Sequence, residues 1–369
     1  MERYEAEMFR TTPGIDMNLL EAKYTLIQMN EQTLAVRTII YNDDRSKKTL
    51  LMTHGYCMSM AYYCRIVPEL AKHYRIVMFD NLSWGLNSRT QDVGDALETP
   101  EKAEKWVVTW WEKLIAALGD TLPEKFYLSG HSAGGFQCML YASYHPERIE
   151  GLFLQSPACA EDQSDPNWVY DPYEVRLVDN EDVYPSRSEV DKGLENYENN
   201  VHIQDGMHGM PYWMMKMGCR KNIKEMMPSS KGYPAELQEA AAMYYATMTQ
   251  RWGQQDVVLQ KMLKWFCFLH NHLFTKEKML QDFDFPIAFC NGTRDFFGSA
   301  EGANRIVQNN KFYESGRSQI FKLNNSGHNV FLDNPDGLTT YMIGFFEGTI
   351  TGTFDLKPRR EFRADILPN

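Results

Sequence analysis

The segment Gly130-His131-Ser132-Ala133-Gly134 constrains the fold of this chain more than any other feature. It follows an apolar run at 125–129, typical of a buried strand, and precedes a helical pattern at 136–145. A serine between two such glycines fits the sharp strand-to-helix turn that raises a hydroxyl above a sheet. The glycines are expected because a Cβ at either position would clash with the neighbouring strand or helix. The surroundings therefore predict a nucleophile elbow with Ser132 as nucleophile, rather than a glycine-rich turn with an uninvolved serine.

Short runs of apolar and β-branched residues predict further strands on both sides of this motif. They alternate with helical patterns such as 101–118, where Trp106, Trp110, Leu114 and Leu118 recur every four residues. This alternation predicts a mainly parallel sheet with helices on both faces. The predicted strands lie at 33–41, 49–53, 75–79, 125–129, 149–154, 286–290 and 319–323.

The alternation stops near residue 160 and resumes at Phe285. The stretch between them contains no convincing buried strand and becomes rich in Met, Trp and Tyr. A chain of 369 residues has room for one large α/β domain with an insertion. We therefore expect the first part of the core at 1–160, a mostly helical insertion at 161–282 and the second part of the core at 283–369.

Charge and composition exclude several classes of protein. The chain carries 38 Lys and Arg against 49 Asp and Glu, a net charge of −11, and no basic cluster that would mark a nucleic-acid-binding face. The absence of any long uncharged apolar run disfavours a membrane-spanning helix. The seven cysteines are scattered without a Cys-x-x-Cys pair, so we expect reduced thiols and no zinc site. With an acidic start that lacks a signal core, this favours an intracellular, cytoplasmic protein and leaves association with an organelle open.

Two further loops supply the partners that a serine nucleophile needs. His328 follows the predicted strand 319–323, where an imidazole can act as general base. Asp295 follows the predicted strand 286–290, where a carboxylate can orient that imidazole. Asp333, five residues after His328, is a weaker candidate for the acid. We interpret it as structural, either capping the next helix or orienting the histidine loop.

The loop Thr53-His54-Gly55-Tyr56-Cys57 follows the strand at 49–53. A sharp turn there can point the backbone N–H of Tyr56 at the elbow, and the N–H of Ala133 lies at a helix N-terminus beside the same point. Two such N–H groups form an oxyanion hole, often the largest electrostatic contribution to acyl transfer. We interpret His54 itself as a structural loop residue.

These landmarks, in this order, resemble those of the α/β-hydrolase fold superfamily of serine hydrolases. The segment Phe79-Asp80-Asn81-Leu82-Ser83-Trp84-Gly85-Leu86-Asn87-Ser88 also resembles the family's loop after the fourth strand, with Ser83 where many members have glycine and Asn87 where a small residue is usual. The resemblance covers about 33–160 and 283–350. It implies a mainly parallel eight-stranded sheet flanked by helices, with the insertion as the variable cap that forms the substrate pocket.

The segment from His328 to Asp333 is also similar to the His-x4-Asp segment of one branch of this superfamily. That branch contains lysophospholipid and N-acyl-phospholipid hydrolases, and related members act as lysophosphatidic acid acyltransferases. Some of its members lack the serine and work as regulators. This chain keeps Ser132, which favours activity.

Three functions remain open on this basis. The first is a serine hydrolase that cleaves a carboxylic ester, of a lipid or another apolar acyl substrate, through Ser132, His328 and Asp295 and an acyl-enzyme. It requires no metal and no dissociable cofactor. The second is an acyltransferase with the same triad, which differs in whether water or another alcohol reaches the acyl-enzyme. The third is a catalytically silent hydrolase-fold subunit of a larger assembly, with protein partners that the sequence does not identify.

An apolar cluster in the insertion bears on the substrate and on membranes. It comprises Met210, Trp213, Met214, Met215 and Met217. Methionine adapts its shape, so the cluster either lines a tunnel for acyl chains or packs the helices of the insertion onto the core. Its apolar character also leaves open a peripheral membrane contact through the cap.

Overall fold

The fold is given by a computed structural model that describes residues 1–82, 84–90, 92–158, 211–251, 255–265, 268–269, 283–295 and 300–350. The strands are β1 (Leu20–Met29), β2 (Gln32–Tyr41), β3 (Thr49–Thr53), β4 (Arg75–Phe79), β5 (Phe126–His131), β6 (Ile149–Gln155), β7 (Leu263–Trp265), β8 (Phe268–Leu269), β9 (Ile287–Gly292) and β10 (Gln319–Leu323). The α-helices are α1 (Glu2–Thr11), α2 (Val67–His73), α3 (Pro100–Leu118), α4 (Ala133–Tyr144), α5 (Tyr212–Met226), α6 (Ala235–Met248), α7 (Gln255–Met262), α8 (Ala300–Gln308), α9 (Val330–Asp333) and α10 (Pro335–Glu347).

Within the described residues, eight strands form one sheet in the order β1-β2-β4-β3-β5-β6-β9-β10. The strand β2 runs antiparallel to both β1 and β4, and the other neighbours are parallel. The expected eight-stranded, mainly parallel sheet is therefore confirmed. The strands β7 and β8 form a separate antiparallel pair within the insertion.

The register of the parallel strands brings the loops of interest to one edge of the sheet. Thr53 at the end of β3 pairs with Gly130 of β5, and Leu323 at the end of β10 pairs with Gly292 at the end of β9. The loops that follow β3, β5, β9 and β10 therefore start from the same carboxyl edge. This is the edge at which open α/β sheets bind their ligands.

Helices bury both faces of the sheet, as the alternating pattern predicts. On one face, the ring of Trp111 in α3 packs edge-on against Phe79 of β4, with ring centroids 4.9 Å apart. On the other face, Phe9 of α1, Leu70 of α2 and Phe345 of α10 lie in a second buried cluster. Burial of each large apolar side chain contributes about 1.5–3 kcal/mol.

The sequence analysis misses α1 and β1. In β1, Leu26 is exposed and the next residue, Ile27, is buried, so this edge strand lacks the continuous apolar run of the predicted strands. A turn at Asn30, with φ of 52°, leads back into β2. The helix α1 is held by its buried Glu5, whose carboxylate accepts a hydrogen bond from Nε of Arg37 in β2 at 3.0 Å. Because the two partners are far apart in the chain, no local pattern indicates this contact.

The described part of the insertion is mostly helical, and it rests on the carboxyl edge of the sheet. The hydroxyl of Tyr62 donates to the carbonyl oxygen of Ala241 in α6 at 3.1 Å. The hydroxyl of Tyr233, between α5 and α6, donates to the carbonyl oxygen of Leu332 at 2.7 Å. The expected boundaries after residues 160 and 282 lie outside the described residues, so the division into 1–160, 161–282 and 283–369 remains a prediction.

Candidate active site

The turn after β5 holds Ser132 in a strained backbone conformation, with φ of 51° and ψ of −121°. Residues other than glycine rarely adopt positive φ, and such strain is typical of functional sites. A Cβ on Gly134 would lie 2.2 Å from the carbonyl oxygen of His54, and a Cβ on Gly130 would lie 2.5 Å from the carbonyl oxygen of Gly134. Both flanking positions therefore require glycine, for the reason that the motif predicts.

The three predicted triad residues meet at this turn. The hydroxyl oxygen of Ser132 lies 2.9 Å from Nε2 of His328, and Nδ1 of His328 lies 3.0 Å from Oδ1 of Asp295. A neutral imidazole that donates its Nδ1–H to the carboxylate leaves the lone pair of Nε2 for the serine proton. The side chain of Asp295 is fully buried, whereas that of His328 is 16% exposed. The imidazole of His328 thus lies between the hydroxyl of Ser132 and the carboxylate of Asp295 at the carboxyl edge of the sheet.

Main-chain contacts hold the acid loop and the histidine loop together. The N–H of Arg294 donates to the carbonyl oxygen of Ser326 at 2.9 Å. Gly292 makes this approach possible, because a Cβ there would lie 2.3 Å from that same oxygen. The spacing between acid and base is therefore set by the backbone and not by the side chains alone.

Asp333 orients the histidine loop instead of serving as the acid. Its Oδ2 accepts the N–H of Gly327, the residue before His328, at 2.8 Å. Its Oδ1 lies 3.1 Å from Nζ of Lys231 in the insertion. The N-cap of α10 is Asn334. Of the two structural roles expected for Asp333, the contacts support orientation of the loop.

Two buried histidines lie beside the triad without joining it. His131 donates its Nε2–H to the carbonyl oxygen of His328 at 2.9 Å. His54 donates its Nδ1–H to the carbonyl oxygen of Gly55 at 2.7 Å. Its Nε2 accepts the N–H of Asn81 at 2.9 Å. Burial lowers the pKa of each of these two imidazoles to about 3, so both are neutral. These contacts support the structural interpretation of His54.

The loop after β4 contributes a buried polar network that the sequence analysis does not foresee. The carboxylate of Asp80 accepts the N–H of Met60 at 2.8 Å and that of Leu86 at 2.9 Å. The side-chain amide of Asn87 donates to the carbonyl oxygens of Asp80 and Asn81, both at 2.7 Å. Burial raises the pKa of Asp80 to about 7. The segment 79–88 indicates a family resemblance, but its sequence does not identify the hydrogen-bond partners of Asp80.

A small pocket lies beside Ser132, and Asn81 and Gln137 give part of its lining a polar character. Gly55, Tyr56 and Ala133 line it, so the two residues predicted for the oxyanion hole belong to one cavity. Its apolar walls come from the loop after β4, from α3 and from α7, through Leu82, Trp84, Trp106, Val107, Trp110 and Leu259. A Cβ on Gly55 would lie 2.9 Å from Cβ of Ser132, so the His-Gly loop approaches the serine closely. The oxyanion-binding role of the two N–H groups stays a prediction.

Ser83, which stands where many members of the family have glycine, lies outside the described residues.

Of the two roles left open for the Met-rich cluster, the described residues support packing onto the core for Met215. Trp213, Met214 and Met217 are 62%, 44% and 63% exposed on α5. Met215 is buried, as expected for packing onto the core. None of these four lines the pocket beside the nucleophile. Met210 lies outside the described residues.

Among the described residues, no group of three or more His, Cys, Asp and Glu side chains is arranged to hold a metal ion. The described cysteines form no disulfide with one another. In the same part of the chain, no helix combines the length and the hydropathy that a membrane span needs.

Comparison with known proteins agrees with this fold. The model of the alpha/beta hydrolase fold family matches residues 48–335, which is well over half of the chain. The chain belongs to the α/β-hydrolase fold family. The superfamily resemblance stated above is thereby confirmed.

Relatives of this α/β hydrolase include named acyltransferases. A probable 1-acylglycerol-3-phosphate O-acyltransferase from Oryza sativa subsp. japonica is 25% identical over 309 residues, which cover 82% of this chain and 68% of the relative. The 1-acylglycerol-3-phosphate O-acyltransferase from Arabidopsis thaliana is 24% identical over 309 residues, which cover 82% of this chain and 67% of the relative. Among solved structures, carboxylesterase CesB from Bacillus subtilis shares the fold, with a TM-score of 0.57 and 15% identity over 95% of this chain and 98% of its own.

The buried imidazole of His54 gives the stability of this protein a defined pH dependence. Its pKa is about 3 in the folded chain and near 6.5 when exposed, so unfolding takes up a proton between these values. Folding stability contributed by this neutral imidazole is complete above pH 6.5 and is lost as the pH falls towards 3. The comparison is between the unfolding free energies of the wild type and of His54→Gln. We expect the difference in favour of the wild type to shrink by up to about 1.4 kcal/mol for each unit by which the pH falls in this window. Urea unfolding of both proteins at pH 7, 6 and 5 measures it, and a constant difference would contradict the assignment.

Proposed function

We propose that this α/β hydrolase is a serine hydrolase that cleaves a carboxylic ester with an apolar acyl group. The observation that carries the proposal is the hydrogen-bonded series from Ser132 Oγ through His328 to Asp295, at 2.9 and 3.0 Å. A serine hydroxyl is a weak nucleophile until an adjacent base accepts its proton, and this arrangement supplies that base. A catalytically silent subunit has no need of it.

The proposed cycle uses only side chains and N–H groups of this chain. Ser132 Oγ attacks the ester carbonyl carbon while Nε2 of His328 accepts the hydroxyl proton, and Asp295 stabilises the resulting imidazolium. The N–H groups of Tyr56 and Ala133 bind the oxyanion. The base then protonates the departing alcohol, which leaves an acyl-enzyme. Water attacks this ester with the same base accepting its proton, and the acid leaves as the serine hydroxyl is restored.

The apolar pocket supports an aliphatic or aromatic acyl group over a charged one. Trp106 and Trp110 of α3 are buried, and Leu259 of α7 is partly buried. All three line the pocket together with Ala133, which follows the nucleophile in the chain. Burial of apolar surface contributes about 25 cal/mol per Å², so an apolar acyl group that contacts these walls gains binding free energy.

Substitution of the nucleophile tests the proposal. We expect Ser132→Ala to lower kcat/KM for a p-nitrophenyl acyl ester at least about 10³-fold, because it removes the hydroxyl that lies 2.9 Å from Nε2 of His328. The matched control is Ser143→Ala, since Ser143 belongs to the same helix, α4, and donates only to the carbonyl oxygen of Leu140. It should retain wild-type turnover. Folded wild-type protein that turns over no ester would instead favour the silent subunit.

Acyl transfer is a second candidate because both plant relatives are named as acyltransferases. The same acyl-enzyme serves both reactions, and they differ only in the nucleophile that releases the acyl group. The similarity of the segment 328–333 to a His-x4-Asp motif adds little to this candidate. The carboxylate of Asp333 is engaged by Gly327 and Lys231, so we infer that it positions the loop and does not take part in proton transfer.

The fate of a labelled acyl group separates the two candidates. With a radiolabelled acyl donor and no acceptor, we expect free acid as the product, because water reaches the acyl-enzyme. With 1-acylglycerol-3-phosphate added at increasing concentration, hydrolysis predicts that free acid remains the main product. A dominant diacyl product that depends on Ser132 would establish the transferase instead, and one that survives Ser132→Ala would contradict the shared mechanism.

A further inference from the structure

The helix α5 carries an apolar face that points away from the protein. Its buried residues, Met215, Cys219 and Ile223, are spaced by four and face α6 and the core. With about 100° between successive residues, positions 213, 217, 221 and 224 fall within an arc of about 80° on the opposite side. Trp213 and Met217, the first two of these, are 62% and 63% exposed.

The same outward face becomes basic along the helix. Lys221 and Lys224 are exposed and lie one and two turns beyond Met217. Arg220, at the edge of this face, is paired with Glu239 of α6, with Nε 2.9 Å from the nearer carboxylate oxygen. No acidic residue occurs between 212 and 224, and the exposed Glu225 that follows lies about 80° around the helix from the centre of this face, although the whole chain has a net charge of −11. A positive strip on an acidic protein is a local feature of this helix.

Contacts of the α5–α6 hairpin connect this face to the active site. The hydroxyl of Tyr245 in α6 lies 3.3 Å from Sγ of Cys57, the residue after Tyr56. Lys231, in the loop between the two helices, pairs with Asp333, which positions the histidine loop. These contacts fix the α5–α6 hairpin to the loops that carry Tyr56 and His328.

We propose that the outer face of α5 docks the protein on the surface of a bilayer containing anionic phospholipid. Trp213 and Met217 bury their side chains at the boundary between headgroups and acyl chains, where tryptophan is enriched. Lys221 and Lys224 then lie at the level of the phosphates, each adding electrostatic attraction. An interfacial helix with separate apolar and basic regions fits this ligand better than an uncharged surface. The docking stands apart from the proposed chemistry, since it requires no turnover by Ser132.

Flotation with lipid vesicles tests this surface on the whole chain of 369 residues. We expect the wild type to float with vesicles of phosphatidylcholine containing 30% phosphatidylserine, and the doubly substituted Trp213→Ser, Met217→Ser protein to lose binding about tenfold or more. The matched control is Leu26→Ser, because Leu26 is also exposed, at 61%, but lies on β1. It should bind as the wild type does. Equal loss in the control, or no flotation of the wild type, would overturn the proposal.

The charge contribution is tested separately. Lys221→Glu with Lys224→Glu should lower binding to anionic vesicles about tenfold or more, given about 1 kcal/mol per basic residue near such a surface. Lys113→Glu, an exposed change on α3, should have little effect. Turnover of a water-soluble ester should be unchanged in all these variants, which separates failed docking from failed chemistry. If the Trp213 and Met217 substitutions convert a dimer to a monomer in sedimentation, the face pairs two copies of the chain and the membrane proposal is wrong.

Discussion

The close packing of the elbow against the His-Gly loop is the contact on which the site depends. The backbone of Gly134 lies so near the carbonyl oxygen of His54 that no Cβ fits between them, and Gly55 approaches Ser132 in the same way. This packing holds the serine at positive φ. It also brings the loop that carries Tyr56 beside the nucleophile. Strain at a single residue is thus maintained by two strands and a helix that the core already holds rigidly.

The base is placed by a second set of contacts that reach into the insertion. Gly327 is held by Asp333, which in turn pairs with Lys231, while His131 donates to the carbonyl oxygen of His328. The histidine loop is therefore fastened from the core and from the cap.

The sequence predicted most of the sheet and the proximity of Ser132, Asp295 and His328 because these signals are local. Each of the three residues lies in a loop that follows an apolar strand, and parallel strands end at a common edge. The analysis missed the Glu5–Arg37 contact and the Asp80 network because their partners are distant in the chain. Composition also left the positions of Trp213 and Met217 open, because only tertiary packing determines which side of α5 faces the core.

The central claim, that Ser132 is activated by His328 as a covalent nucleophile, is tested most directly by active-site labelling. Native protein is treated with a fluorophosphonate, and its intact mass and proteolytic peptides are measured. The account predicts one phosphonyl group per chain, located on Ser132, and labelling at least about 10²-fold slower in His328→Ala. Folded wild-type protein that gains no adduct, or that carries it on another residue, would contradict the account.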